Sequence, residues 1–263
     1  MSNPYLLPET LDCVVDILHN EPETLKTCCL VSKPWVPRTR RHLFADIKFS
    51  SMGDLSSWKK TFPDVANSPA HHARSLFIGC PEFVTAEDAE EGGWIQAFSG
   101  VTSLTVDNGK WLSGTSSTPL VPFYKLASTL KSLRMSPILL PSPQLFNLIR
   151  SSPLLEDLTL IGHEKRSGNV DSPHWSQPVV SSTLPPLTGT LNLGISGGMG
   201  GTVRGLLDLP NGLHFRTFTL SWTRKEDLRW ITMLVEKCSH TLELLCVACN
   251  SGGGTSVSYL HPH

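Results

Sequence analysis

The amino-acid sequence predicts a mixed α/β chain, in which a small N-terminal helical unit precedes a curved, mostly parallel sheet with helical or loop return segments. Three observations predict it. Apolar residues in the first 44 positions recur at helical spacing. Beyond them the pattern apolar-x-x-apolar-x-apolar returns at intervals of 25 to 33 residues. Between its copies lie stretches that are either helical in period or rich in Ser, Pro and Gly.

The helical unit comes first in the chain. Pro8 suits a first helical position, where a missing N–H costs nothing, and Glu9 stands in the first turn, where the helix dipole favours a negative charge. Leu11, Val14, Val15 and Leu18 follow at i, i+3, i+4 and i+7 and mark one face of an amphipathic helix. Pro22 and Glu23 repeat the starting signal, and Leu25, Cys28, Cys29 and Val31 supply the second helix with its apolar side. Pro34 interrupts it. A third helix is expected from Val36 to Phe44, with Arg38, Arg40 and Arg41 turned outward. Three helices in so few residues make a core too small to stand alone, so the unit is expected to lean on a partner or on the next domain of the chain.

The repeat begins where these helices end. Its copies are Phe44, Ile47, Phe49; Ala73, Leu76, Ile78; Val101, Leu104, Val106; Leu130, Leu133, Met135; Leu155, Leu158, Leu160; Phe215, Phe218, Leu220; and Leu242, Leu245, Val247. An eighth has Leu191 and Leu193, with Thr188 in the first place and Leu187 beside it. The central residues 47, 76, 104, 133, 158, 191, 218 and 245 step by 29, 28, 29, 25, 33, 27 and 27. Leucine-rich repeats run about 20–29 residues per unit, and six of the seven steps agree. The longest step holds the Ser- and Pro-rich stretch Arg166 to Pro186, read as an insertion. Return helices are expected at Leu55, Trp58 and Phe62, at Leu145, Leu148 and Ile149, and at Leu228, Ile231, Leu234 and Val235. A strand with its return cannot bury its own apolar face, so the units are expected to stack on one elongated core. The chain thus divides into helices over 1–44, about eight irregular repeats over 45–250 with the insertion near 166–186, and a tail over 251–263. Only Val257, Tyr259 and Leu260 in that tail offer a terminal cap.

Residues of the helical unit also carry a resemblance. Leu7-Pro8-Glu9, then Leu18, Leu25, Cys28, the run Leu30-Val31-Ser32-Lys33 with Trp35, and Arg41-His42-Leu43-Phe44 closely resemble the F-box, in the version abundant in mushroom-forming fungi. Pro34 before Trp35 departs from that pattern. The resemblance implies a non-enzymatic chain: a three-helix F-box followed by an irregular leucine-rich-repeat solenoid. It implies docking on the Skp adaptor, and through it on a cullin scaffold, with the repeats recruiting a protein client to an SCF-type ubiquitin ligase. Carried over by position, Leu7 and Pro8 open the docking surface, and Leu11, Val15 and Leu18 continue it. Leu25, Cys28, Leu30, Val31 and Trp35 form its second part, and Leu43 and Phe44 close it. An F-box scaffold that directs no ubiquitination is the alternative within the same resemblance.

Alternation along a strand predicts which side chains leave the core. The residue between the last two apolar positions should lie on the concave sheet: Lys48, Phe77, Thr105, Arg134, Thr159, Asn192, Thr219 and Cys246. Phe77 and Arg134 are the strongest anchors for a client, because interface energy concentrates in aromatic and Arg side chains.

Other chemistry weighs less. Gly194-Ile195-Ser196-Gly197-Gly198 satisfies G-x-S-x-G, and Asp208 or Asp227 with His240 would complete a hydrolase order. The glycines continuing to Gly201 favour a loop instead of the required strained turn into a helix. No phosphate cradle is spelled, and the lone pair Cys246 and Cys249 has no second pair to make a zinc site. His71 and His72 have no evident partners. No cofactor or metal is expected. The basic stretch Lys33 to His42 reads as a solvated helix face, and the acidic run Glu87 to Glu91 as a polar loop or helix start.

Composition agrees with that reading. Of 263 residues, 40% are hydrophobic and 17% charged, and the formal net charge is -1. Nucleic-acid binding by counterion release needs a clustered basic face, which is missing. No stretch approaches a membrane span, and Met1 to Pro8 lacks the basic flank and apolar run of a signal peptide. Seven scattered cysteines, an odd number, together with the lack of glycosylation sequons, point to a reducing cytoplasmic or nuclear setting.

Overall fold

The computed structural model describes residues 8–79, 93–107, 120–140, 142–164, 187–209, 212–223, 225–251 and 254–260. Its first three helices are α1 (Pro8–Ile17), α2 (Pro22–Val31) and α3 (Val36–Leu43). Short 3-10 turns at Leu18–Asn20 and Lys33–Trp35 join them. Pro34 fits the second turn, whose bond runs from the Trp35 N–H to the Ser32 carbonyl and asks no donor of residue 34.

Val15, Leu25 and Cys28 fill the interior of this helical unit. Asp16 ties α1 to α3: its carboxylate accepts from Arg38 Nε at 2.6 Å, from Arg38 Nη2, and pairs with His42 Nε2 at 2.8 Å. The Arg38 bond, and then the His42 one, hold the Asp16 carboxyl well below the usual carboxylate range. Arg38 is therefore turned onto α1 and not outward with Arg40 and Arg41, because a bidentate carboxylate offers more than water does. Only Phe44 and Ala45 separate α3 from the sheet.

Nine strands form one open sheet in chain order: β1 (Asp46–Phe49), β2 (Ser75–Ile78), β3 (Ser103–Asp107), β4 (Ser132–Leu140), β5 (Asp157–Glu164), β6 (Thr190–Ser196), β7 (Thr217–Thr223), β8 (Leu244–Ser251) and β9 (Gly254–Leu260). The first eight run parallel, and β9 turns back antiparallel on β8. Residues 254–260 of the expected tail thus extend the sheet.

Register and repeat coincide. Ile47, Leu76, Leu104, Leu133, Leu158, Leu191, Phe218 and Leu245 are successive partners across the strands, and all are buried. The third positions, from Phe49 to Leu220, are buried too, with Val247 packed at the margin. In the eighth copy Leu187 takes the buried first place and Thr188 is exposed. These strand residues share one apolar cluster with the return segments.

The entrance to each strand repeats a hydrogen-bond motif. One carbonyl accepts two consecutive amides of the next unit: Ala45 from Arg74 and Ser75, Arg74 from Thr102 and Ser103, Thr102 from Lys131 and Ser132, Lys131 from Glu156 and Asp157. At the longest step the motif is interrupted, and it resumes beyond it, with Gly189 accepting from Arg216 and Thr217 and Arg216 from Glu243 and Leu244. Glu156 O accepts only Thr190 N in that ladder, and Gly189 adopts φ 81 with its α-carbon pressed so near Glu156 O that a Cβ would lie 2.4 Å away. Only glycine accepts both conditions. The register of β4 on β5 shifts between Met135 and Ile138, around Pro137, which has no ladder donor to give.

Return helices are α4 (Met52–Thr61), α5 (Pro143–Arg150), α6 (Gly200–Leu207) and α7 (Leu228–Cys238). Shorter 3-10 segments at Pro69–His72, Trp94–Phe98 and Val121–Lys125 serve elsewhere. Helix α4 carries a capping box between Ser51 and Asp54. Two expectations are corrected. Of the glycine run expected to form a loop, Gly197 and Gly198 do so at φ 89 and 128, but Gly200 and Gly201 open α6; and Leu228 is exposed at the start of α7 while Ile231 and Leu234 enter the core. The stretches Arg166 to Pro186 and Glu87 to Glu91 lie outside the described residues.

Candidate interaction surfaces

The helical unit and the sheet each present a surface. In the unit, ten of the twelve residues singled out by sequence divide into three groups. Val15, Leu25 and Cys28 are buried in its interior, so they hold the helices together and offer nothing to a partner. Leu11, Leu18, Trp35, Leu43 and Phe44 are half-buried. Leu30 and Val31 are 88% and 67% exposed. Pro8 begins α1, and Leu7 lies outside the described residues.

Two further apolar side chains face water on α1: Ile17, 78% exposed, and Val14, 40%. Ile17 is not legible in the sequence as a surface residue of this kind, because it falls out of phase with the buried stripe of α1. An apolar residue on the polar side of a helix was the available signal. Among its described residues the unit therefore exposes four large apolar side chains, Val14, Ile17, Leu30 and Val31, and buries three apolar ones, Val15, Leu25 and Cys28.

Phe44 joins the two surfaces. It ends α3, where its N–H bonds the Arg40 carbonyl, and its ring meets Trp58 and Phe62 of the first return segment edge-on at 6.0 Å each. Side chain and backbone both bind the junction, which leaves no linker.

On the sheet face away from the helices, Lys48, Phe77, Thr105, Arg134, Thr159, Asn192, Thr219 and Cys246 are direct cross-strand partners in one continuous row, and none is buried. Lys48 Nζ sits 4.8 Å from the centre of the Phe77 ring, and Asn192 Nδ2 donates to Thr159 Oγ1 at 3.2 Å. Arg134 stands exposed between Thr105 and Thr159.

Ser196 ends β6, near His163 of β5. Its Oγ lies 3.1 Å from His163 Nδ1 and 3.2 Å from the Gly162 carbonyl. The Ser196 hydroxyl carries one proton, which goes to the Gly162 carbonyl or to His163 Nδ1 according to the imidazole tautomer. The expected partners are elsewhere: Asp227 accepts the Met199 N–H at 3.2 Å, and Asp208 and His240 are exposed with no bond to Ser196 among the described residues. The first amides of α6, the natural oxyanion donors, are already taken. Glu164 accepts from Gly201 N at 2.7 Å, Thr202 N at 3.1 Å and Thr202 Oγ1 at 2.9 Å.

Among the described residues no group of three His, Cys, Asp or Glu side chains is placed to hold a metal. Cys13, Cys28, Cys29, Cys238 and Cys246 are free thiols. His71 and His72, for which the sequence suggested no partners, pack ring on ring at 3.9 Å, and His71 Nδ1 bonds the Ser68 carbonyl. Among the described residues no helix is long and apolar enough to cross a membrane. Comparison with known proteins found no matching family model and no matching curated protein or solved structure.

Proposed function

We propose that this chain is an F-box protein: a substrate-recruiting, non-catalytic subunit of an SCF-type ubiquitin ligase, with a leucine-rich-repeat solenoid behind the F-box. In this reading α1 and α2 dock on the Skp adaptor, which links the chain to a cullin scaffold in the cytoplasm or nucleus. The exposed row from Lys48 to Cys246 receives the protein client. One observation carries the reading. Among the described residues of the unit, four large apolar side chains on α1 and α2 face water and three apolar residues lie in its interior, which is the condition of a surface awaiting a partner. The ordered F-box phrases within the same residues name the partner class. The short junction at Phe44 supports it further, since recruitment works by effective concentration and a stiff connection sets that concentration.

The test is adaptor binding by the full chain and by Ile17→Asp with Leu30→Asp. Each side chain contributes about 1.5–3 kcal/mol when buried, so the double variant should weaken binding by at least about a hundredfold. Both positions are exposed, so the melting temperature should hold. Undiminished adaptor binding by the double variant, or no binding by the parent chain, would overturn the proposal.

A further inference from the structure

The two edges of the sheet are finished differently. At one end β9 returns antiparallel on β8. At the other end, among the described residues, β1 has a neighbour only in β2. Its backbone groups can be sorted by parity. Ala45 and Phe49 carbonyls accept amides from the β2 side, Arg74 and Ser75 at Ala45 and Gly79 at Phe49. Residues 45, 47 and 49 therefore face β2, and Asp46 and Lys48 direct their N–H and C=O groups at the open edge. Ser50 ends this edge, its N–H bonding Asp54 Oδ2 at 2.8 Å. Beside the edge, on its core side, runs a groove of about 480 Å³ walled by Leu43, Phe44, Trp58 and Phe62. These four side chains are half-buried above the buried Ile47, Phe49 and Leu55, with Asp54, Ser57 and Thr61 also lining the groove, so apolar surface is left at the end where stacked units need a cover.

We propose that a second copy of this chain covers it, β1 pairing antiparallel with β1 of its mate about a two-fold axis through Ile47. The charge pattern selects both occupant and register. With Ile47 opposite Ile47 of the mate, Asp46 faces Lys48 of the mate and Lys48 faces its Asp46. These are the residues whose backbone groups point outward, so each pair exchanges two backbone hydrogen bonds and also sets a carboxylate beside an ammonium on the exposed face. Shifting the axis to Asp46 or to Lys48 puts like charges opposite each other. A two-fold interface needs such self-complementarity, because each residue meets the partner of its own partner. On the core side the two aromatic-walled grooves adjoin, and the apolar layer continues across the axis. The pairing uses neither Ile17 nor Leu30 and is independent of adaptor docking.

Sedimentation equilibrium on the full chain tests it. The parent chain should show a concentration-dependent monomer–dimer equilibrium. Asp46→Lys alone and Lys48→Asp alone should each weaken it by about tenfold or more, since either turns two attractive cross-strand pairs repulsive. Combining Asp46→Lys with Lys48→Asp should restore the dimer, because opposite charges again face each other. Both side chains are exposed, and circular dichroism should read the same for all variants. A chain that stays monomeric at every concentration sinks the proposal, as does a dimer indifferent to the single changes or a double variant no better than the singles.

Discussion

Glu164 should be worth more to stability than its place at the end of a strand suggests. Helix α6 begins at Gly200-Gly201, two residues that each disfavour a helix by about 1 kcal/mol relative to Ala, and its N-cap Met199 offers no side-chain acceptor. The missing cap comes from β5: the Glu164 carboxylate takes the Gly201 and Thr202 amides and the Thr202 hydroxyl. Replacing an N-cap acceptor costs about 0.5–2 kcal/mol, and the charge at the positive end of the dipole adds about 0.3–1 kcal/mol. Thr202 is fully buried, so its hydroxyl would be stranded at about 1–3 kcal/mol more. Since these contributions overlap, Glu164→Ala should lose about 2–4 kcal/mol. Glu164→Gln, which keeps one acceptor oxygen without the charge, should lose about half as much. Urea unfolding followed by far-ultraviolet circular dichroism reads both, and hydrogen exchange at residues 201–207 should quicken before the rest of the sheet. An alanine variant within about 0.5 kcal/mol of the parent, with unchanged exchange in α6, would refute this account of how the helix starts.

Two more outcomes rest on burial. Leu133 is wholly buried between Leu104 and Leu158, so Leu133→Ala should cost about 3–5 kcal/mol in denaturant unfolding, whereas Arg134→Ala, exposed on the other face, should change it by less than about 0.5 kcal/mol. Burial, with His71, Arg41 and Arg40 adding to it, lowers the His72 pKa from its ordinary 6.5. The unfolded chain then takes up this proton first, so the stability tied to neutral His72 is whole above about pH 6.5 and declines below it. His72→Gln should flatten that acid slope in the urea midpoint, and an unaltered slope would count against it.

The boundaries of the first three helices were legible because prolines wrote them: Pro8 and Pro22 open helices, and Pro34 sits in the turn before the third. The repeat was legible for a stronger reason. A parallel ladder stacks equivalent residues, so a chain with a constant step must place Leu76, Leu104 and Leu133 side by side, and the exposed row Lys48 to Cys246 comes from alternation alone. What stayed hidden involved partners far apart in sequence. The glycines after Ser196 read as a loop because the carboxylate that caps α6 lies 37 residues upstream of Gly201. Ser196 seemed to ask for Asp208, Asp227 and His240, yet its neighbour is His163, brought there by the pairing of β5 with β6.

Sequence by itself thus determined the first three helices, the order of the eight parallel strands, the beat of the core and the face that leaves it, since these depend only on side-chain type and spacing, while β9 and the start of α6 escaped it. Tertiary structure alone decided which apolar residues of the helical unit are interior and which meet water. Ile17 lies out of phase with the stripe that holds Val15, yet spacing alone does not say that its side chain stays 78% exposed while Val15 is buried. The Asp16 tie to Arg38 and His42 fixes how α1 lies on α3 and so which side of α1 is covered.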